Sequence, residues 1–291
     1  MNQNPNNFRM SPRPNRSSFT LVNKGIPFLV ACFLMWGTSV FGYVLDWNAQ
    51  SWTYGNTSKT FVNLNGSGVD VTVTISGNTG NFVSGYPRIT NPSSGGFGGG
   101  YPNNVSDNLE LFVNHSSTSQ SITVSVTFSQ EVENVSFSLF DLDRGTKNKG
   151  EYAYIDQVAN VKASLNGGSD FGATASFNTG YIDVAGSGTT AEYYGSQIAV
   201  DNASGNANLG LSFGSSLNKF SYVYGNRDTG GNKTQANPDQ QGIGFYDISF
   251  TKVGPVVPEP STVFSLAGIG LVIFWRQRKG WVQLLNRHLL H

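Results

Sequence analysis

Residues 43–252 of this 291-residue chain read as an all-β fold, a β-sandwich or jelly roll. Period-2 alternation of apolar with Ser or Thr residues recurs through this region, and no 3.6-residue stripe is visible between Tyr43 and Val257. Gly- and Asn-rich turn signals separate the alternating runs. Charged residues are only 12% of the chain, where about 25% is usual. Ser, Thr, Asn and Gly occupy the places that Lys and Glu would hold on a helical surface. Many short strands with such turns define a sandwich or jelly roll, and one domain of this length suits all-β architecture.

Taken in order, residues 69–75 (VDVTVTI) predict the first strongly alternating strand, after an Asn65-Gly66 turn. Residues 76–107 are the main irregular stretch. Pro87, Pro92 and Pro102 and a run of glycines from Gly95 to Gly100 read as a long surface loop, because no Gly-Lys-Ser/Thr follows the glycines. Residues 122–128 (ITVSVTF) and 135–139 (VSFSL) predict two further strands, joined by a hairpin turn that leaves Glu131 and Glu133 solvated. Residues 158–165, 209–213, 220–224 and 243–250 are additional strands, with turns at Asn166-Gly167-Gly168 and Gly186-Ser187-Gly188. Phe220, Tyr222 and Tyr224 share one strand face and are candidate core.

Both ends carry targeting features. Residues 1–42 read as a secretory signal: Arg9, Arg13, Arg16 and Lys24 supply charge, residues 26–36 form the apolar stretch, and Val40-Phe41-Gly42 supplies a cleavage site. Leu29-Val30-Ala31-Cys32 also matches a lipobox, but the apolar run continues past Cys32, which favours an incidental cysteine. Residues 253–260 are a Pro-rich linker ending in Pro258-Glu259-Pro260, a stiff non-helical element. The 15 uncharged residues 261–275 follow, then Arg276, Arg278 and Lys279. As a helix they span about 22 Å against roughly 30 Å of hydrocarbon, marginal for a permanent span. The basic cluster stays cytoplasmic and leaves the upstream chain outside. Residues 281–291 form a tail.

Pro-Glu-Pro, a short apolar helix and an Arg-rich end, in that order, resemble the PEP-CTERM sorting signal of bacterial surface proteins. The resemblance implies handling by the secretion machinery and then by an exosortase, a membrane enzyme that passes its substrate to the cell surface or matrix, with membrane contact through the C-terminal helix before processing. The tail after Lys279 departs from the usual basic end. An ordinary single-span anchor is the alternative, and it too leaves the domain outside. A softer resemblance joins residues 135–143, 154–158 and 242–250 to surface β-sandwich domains borne on differing bacterial anchors, and implies a fold and a setting.

Charge is unevenly distributed. Residues 43–257 hold ten basic and seventeen acidic side chains, a net charge of about −7. An acidic surface argues against nucleic acid as a partner. Cys32 is the only cysteine, so the exported domain must be held by its core without disulfides.

Asp141 and Asp143 are expected to leave the end of a strand together into a Gly/Lys-rich loop, with Asp156 as a third carboxylate. Such a set suits Ca²⁺, a hard cation that takes six to eight oxygens. Turn N–H groups, or pairing with Arg144 and Lys147, are the simpler account of the same residues. Trp52, Tyr86, Tyr101 and Tyr193 stand in polar or Gly-rich surroundings and are candidate surface platforms for a glycan such as exopolysaccharide. His115 is the one histidine of residues 43–257 and reads as a solvated loop residue; nucleophile-elbow and metal-hydrolase motifs are absent. The expected function is non-enzymatic: a structural or adhesive surface or matrix protein. The alternative is a calcium-supported carbohydrate-binding module.

Overall fold

A long strand organises the domain. In the computed structural model, which describes residues 42–90, 107–146, 152–198, 204–228 and 237–254, residues 121–140 form one continuous strand. All of these residues belong to one unit, Ser39–His291. The signal segment up to residue 41, the Gly95–Gly100 run, the linker from Pro255 and the sorting-signal residues lie outside the described residues.

In chain order the strands are β1 (Gly42–Leu45), β2 (Ser58–Phe61), β3 (Val71–Gly77), β4 (Arg88–Thr90), β5 (Asn108–Val113) and β6 (Ser121–Phe140). They continue with β7 (Arg144–Thr146), β8 (Tyr152–Ser164), β9 (Phe171–Gly172), β10 (Thr174–Phe177), β11 (Ile182–Ala185) and β12 (Glu192–Gly195). The last four are β13 (Leu209–Phe213), β14 (Leu217–Asn226), β15 (Gln241–Phe245) and β16 (Ile248–Lys252). The fold is all-β, and among the described residues every pairing between these strands is antiparallel. Among the described residues no helix is long and apolar enough to cross a membrane.

β6 belongs to two layers. Its first half lies between β3 and β14, and that layer runs on through β8 and β12 to β11, with β2 beyond β3. Its second half lies between β13 on one edge and β15 and β16 on the other; β10 extends the β13 side, while β1 pairs β16 and β5 pairs β15. A strand that crosses from one sheet to the other makes the corner of the fold.

The hairpin expected at residues 129–134 is therefore a bend within one strand, and Glu131 and Glu133 are half-buried on it. The cause is a bulge. Asn134 has φ +54°, and β16 meets Glu133 with Thr251 but Ser136 with Ser249, so β6 carries one extra residue there. Asn tolerates this left-handed conformation better than other non-glycine residues. Its Nδ2 donates to the Thr251 hydroxyl at 3.0 Å, and that hydroxyl donates to the Glu133 carbonyl at 3.1 Å. The extra residue inverts the alternation: Ile122, Val124, Val126 and Phe128 point inward before it, and Val135, Phe137 and Leu139 after it.

The two layers meet through aromatic rings. Phe137 stacks on Phe220 at 4.7 Å and meets Phe245 edge-on at 5.5 Å, while Phe128 meets Phe250 at 5.1 Å. Phe220, Tyr222 and Tyr224 are core, as their shared face predicts. The single strand expected over residues 243–250 is two, β15 and β16. Inward residues switch from Ile243 and Phe245 to Ile248 and Phe250, with Tyr246-Asp247 taking up the change of parity.

Candidate functional site

Three places on the domain bear on function: the expected aromatic platforms, the acidic residues after β6, and the outer face of the second layer.

The platforms do not form a surface strip. Trp52 is 6% exposed, packed against Trp47 and Phe61, with its indole N–H donated to the Asn56 carbonyl at 3.0 Å. Tyr193 is also 6% exposed and meets Phe177 edge-on at 5.8 Å. Both were among the four candidates of which a few were expected on the surface. Polar neighbours in sequence mislead here, because the burying partners lie elsewhere in the chain. Tyr86 is half-buried between Phe112 and Arg88; the guanidinium lies 4.3 Å from its ring and donates to its hydroxyl at 2.7 Å. Burial, followed by the Glu110 carboxylate, raises its hydroxyl pKa. Tyr101 lies outside the described residues. Tyr54, 69% exposed, is an outward aromatic close in sequence to Trp52.

The carboxylates of Asp143 and Asp156 come together beneath the surface. β6 ends at Phe140, and Asp141 turns the chain with φ +66°, so Asp141 and Asp143 follow the strand instead of sharing its face. Asp143 is 3% exposed and Asp156 1%, so both carboxylates are buried. The Tyr224 hydroxyl donates to Asp156 Oδ1 at 2.7 Å, and the Asp143 N–H reaches Asp156 Oδ2 at 3.3 Å. The Tyr154 hydroxyl donates to Asp143 Oδ1 at 3.2 Å. Gly195 permits this burial: a Cβ there would lie 2.2 Å from the Asp143 carbonyl oxygen. Burial raises the Asp156 pKa well above the usual carboxylate range, and the neighbouring Asp143 charge raises it further. Tyr154 and Tyr224 are raised by the same burial and by the carboxylates beside them. Among the described residues no group of three or more His, Cys, Asp or Glu side chains is arranged to hold a metal ion.

His115 is fully buried, against the solvated position expected of it. Its Nδ1 takes Asn81 Nδ2 at 3.1 Å, and burial lowers its pKa.

The third place is a groove of about 500 Å³ on the outward face of β1, β16, β6, β13 and β10. Strand register sets its floor. Val44, Ser249, Ser136, Ser212 and Thr174 stand opposite one another in one row across the five strands. Ser138, Gly210 and Ser176 form a second row. Small side chains leave the face hollow; a Cβ at Gly210 would lie 2.5 Å from Ser176 Oγ. Tyr246 and Asp247 also line it. Asp247 accepts the Trp47 backbone N–H at 2.9 Å, and burial outweighs that bond, so its pKa is pushed up to about 6. Among the described residues no lysine or arginine lines the groove.

The comparisons define the class of protein before anything narrower. The family model described as the PEP-CTERM protein-sorting motif matches residues 256–279, and the described residues that precede it form the all-β domain. The chain thus carries a PEP-CTERM sorting signal, and it is an exported protein handled by an exosortase and sorted to the cell envelope. No curated protein and no solved structure showed a significant match to the chain.

Proposed function

We propose that this is a non-enzymatic protein of the cell surface or extracellular matrix, whose sandwich serves as a structural or adhesive unit, as in a biofilm. The sorting motif at residues 256–279 carries this reading. The secretion machinery exports the chain, the apolar stretch at residues 261–275 holds it in the membrane, and exosortase releases the upstream domain outward. The domain's chemistry fits a coat. It has no disulfide, its surface is rich in hydroxyls and amides, and its net negative charge keeps it soluble. His115, the one histidine of residues 43–257, is buried against Asn81, which supports a non-catalytic role.

Protease shaving of intact cells tests the reading. Exposed domain in a host with exosortase, and retained membrane-bound precursor in one without it, are the expected results. Domain found only inside the cell in both hosts would overturn it. The calcium-supported carbohydrate-binding alternative loses two of its expected platforms, Trp52 and Tyr193, to the core. Carbohydrate binding by a different surface is supported by the hydroxyl-lined groove.

A further inference from the structure

We propose that the groove across β1, β16, β6, β13 and β10 is a binding site for a chain of neutral sugar residues, a deepening that rests on the adhesive surface reading above. Its polar side chains are mostly hydroxyls, set among apolar residues and beside the Asp247 carboxylate. Ser249, Ser136, Ser212 and Thr174 form one row, and Ser138 and Ser176 belong to the next. Among the described residues none of these six hydroxyls has a hydrogen-bond partner, so they are available as donor and acceptor. Neighbouring strands stand about 4.8 Å apart, close to the length of one pyranose unit, so the row of five residues meets several consecutive sugars.

Charge narrows the ligand. Among the described residues the groove has no cation to pair with a sulfate, phosphate or uronate, and the Asp247 carboxylate repels them. A neutral glycan meets no such penalty. Its hydroxyls can donate to the Asp247 carboxylate, which already holds the Trp47 N–H and is fixed in place. Shape argues against a second copy of this chain. A two-fold interface would set one hollow against the same hollow and leave a void between them. A single extended polymer fills it.

The test uses the full-length protein in detergent micelles, immobilised for biolayer interferometry against dextran, mannan and a soluble β-glucan, with alginate as the acidic control. Saturable binding to at least one neutral polymer, and none to alginate, is expected. Ser136→Ala with Ser212→Ala removes two central hydroxyls at positions where no protein partner is lost. It weakens binding about tenfold or more, given that each hydrogen bond contributes about three- to tenfold. Ser212→Trp, on an exposed position, fills the hollow and abolishes binding. Binding unchanged in both variants, or no binding to any neutral polymer, overturns the proposal. So does a dimer that Ser212→Trp dissociates in size-exclusion chromatography, which would assign the face to a second copy. Protease shaving of cells expressing the same variants separates this failure from failure of the surface reading, since delivery does not depend on the groove.

Discussion

Asp156→Asn is expected to change the pH dependence of stability more informatively than its level. The Asp156 carboxyl is buried, its neighbour is Asp143, and burial raises its pKa well above that of an unfolded aspartate, about 3.9. Between those two pKa values the folded state binds a proton that the unfolded state has released. Stability contributed by Asp156 is thus fully present below about pH 4, declines as pH rises, and levels off above the folded pKa. The limiting slope is about 1.4 kcal/mol per pH unit for one proton. Asparagine cannot ionise, so the variant lacks this decline. Its amide can still accept the Tyr224 hydroxyl, but its NH₂ faces the Asp143 N–H and forfeits that bond, a pH-independent cost of about 1–3 kcal/mol. Urea melts of residues 43–257 at pH 5, 6, 7 and 8 measure both terms. The stability of the variant relative to the parent should climb with pH until Asp156 ionises in the folded state. Contributions from His115 and Asp247 cancel in that difference. A difference that stays constant from pH 5 to 8 would refute the reasoning.

Other perturbations probe the fold and the acidic residues. Phe137→Ala should cost about 3–5 kcal/mol in a urea melt, because the ring packs between the layers on Phe220 and Phe245; a loss under 1 kcal/mol would contradict that packing. Asn134→Val should cost about 1–2 kcal/mol through its φ of +54°, while Asn134→Gly should be close to neutral; equal effects would remove the bulge argument. Calcium at Asp141, Asp143 and Asp156 is tested by melting with and without EDTA. The Tyr154 and Tyr224 hydroxyls already engage Asp143 and Asp156, so superimposable curves are expected, and a lower melting temperature in EDTA would seat the ion.

Much of the fold is legible in local patterns. β3 and β13 fall where alternation places them, and the Asn166-Gly167 turn has both residues at positive φ. The continuity of β6 is not, because residues 129–134 are mostly polar and an inversion of alternation resembles the end of a strand. In hindsight the parity carries the signal twice, at Asn134 and again between Phe245 and Ile248. The same limit hides the functional surfaces. Asp143 and Asp156 were legible as neighbours but not as buried, since Tyr224 and Gly195 come from distant strands. The groove has no local signature. Each of β16, β6, β13 and β10 contributes one or two ordinary hydroxyl residues, and only antiparallel register aligns them.

The mature C-terminus of the protein recovered from the surface fraction tests the central claim most directly. Intact-mass and C-terminal peptide spectrometry should find a chain that ends near Pro258 and lacks Arg276, Arg278 and Lys279. Surface protein that still carries those three basic residues would contradict sorting by exosortase processing.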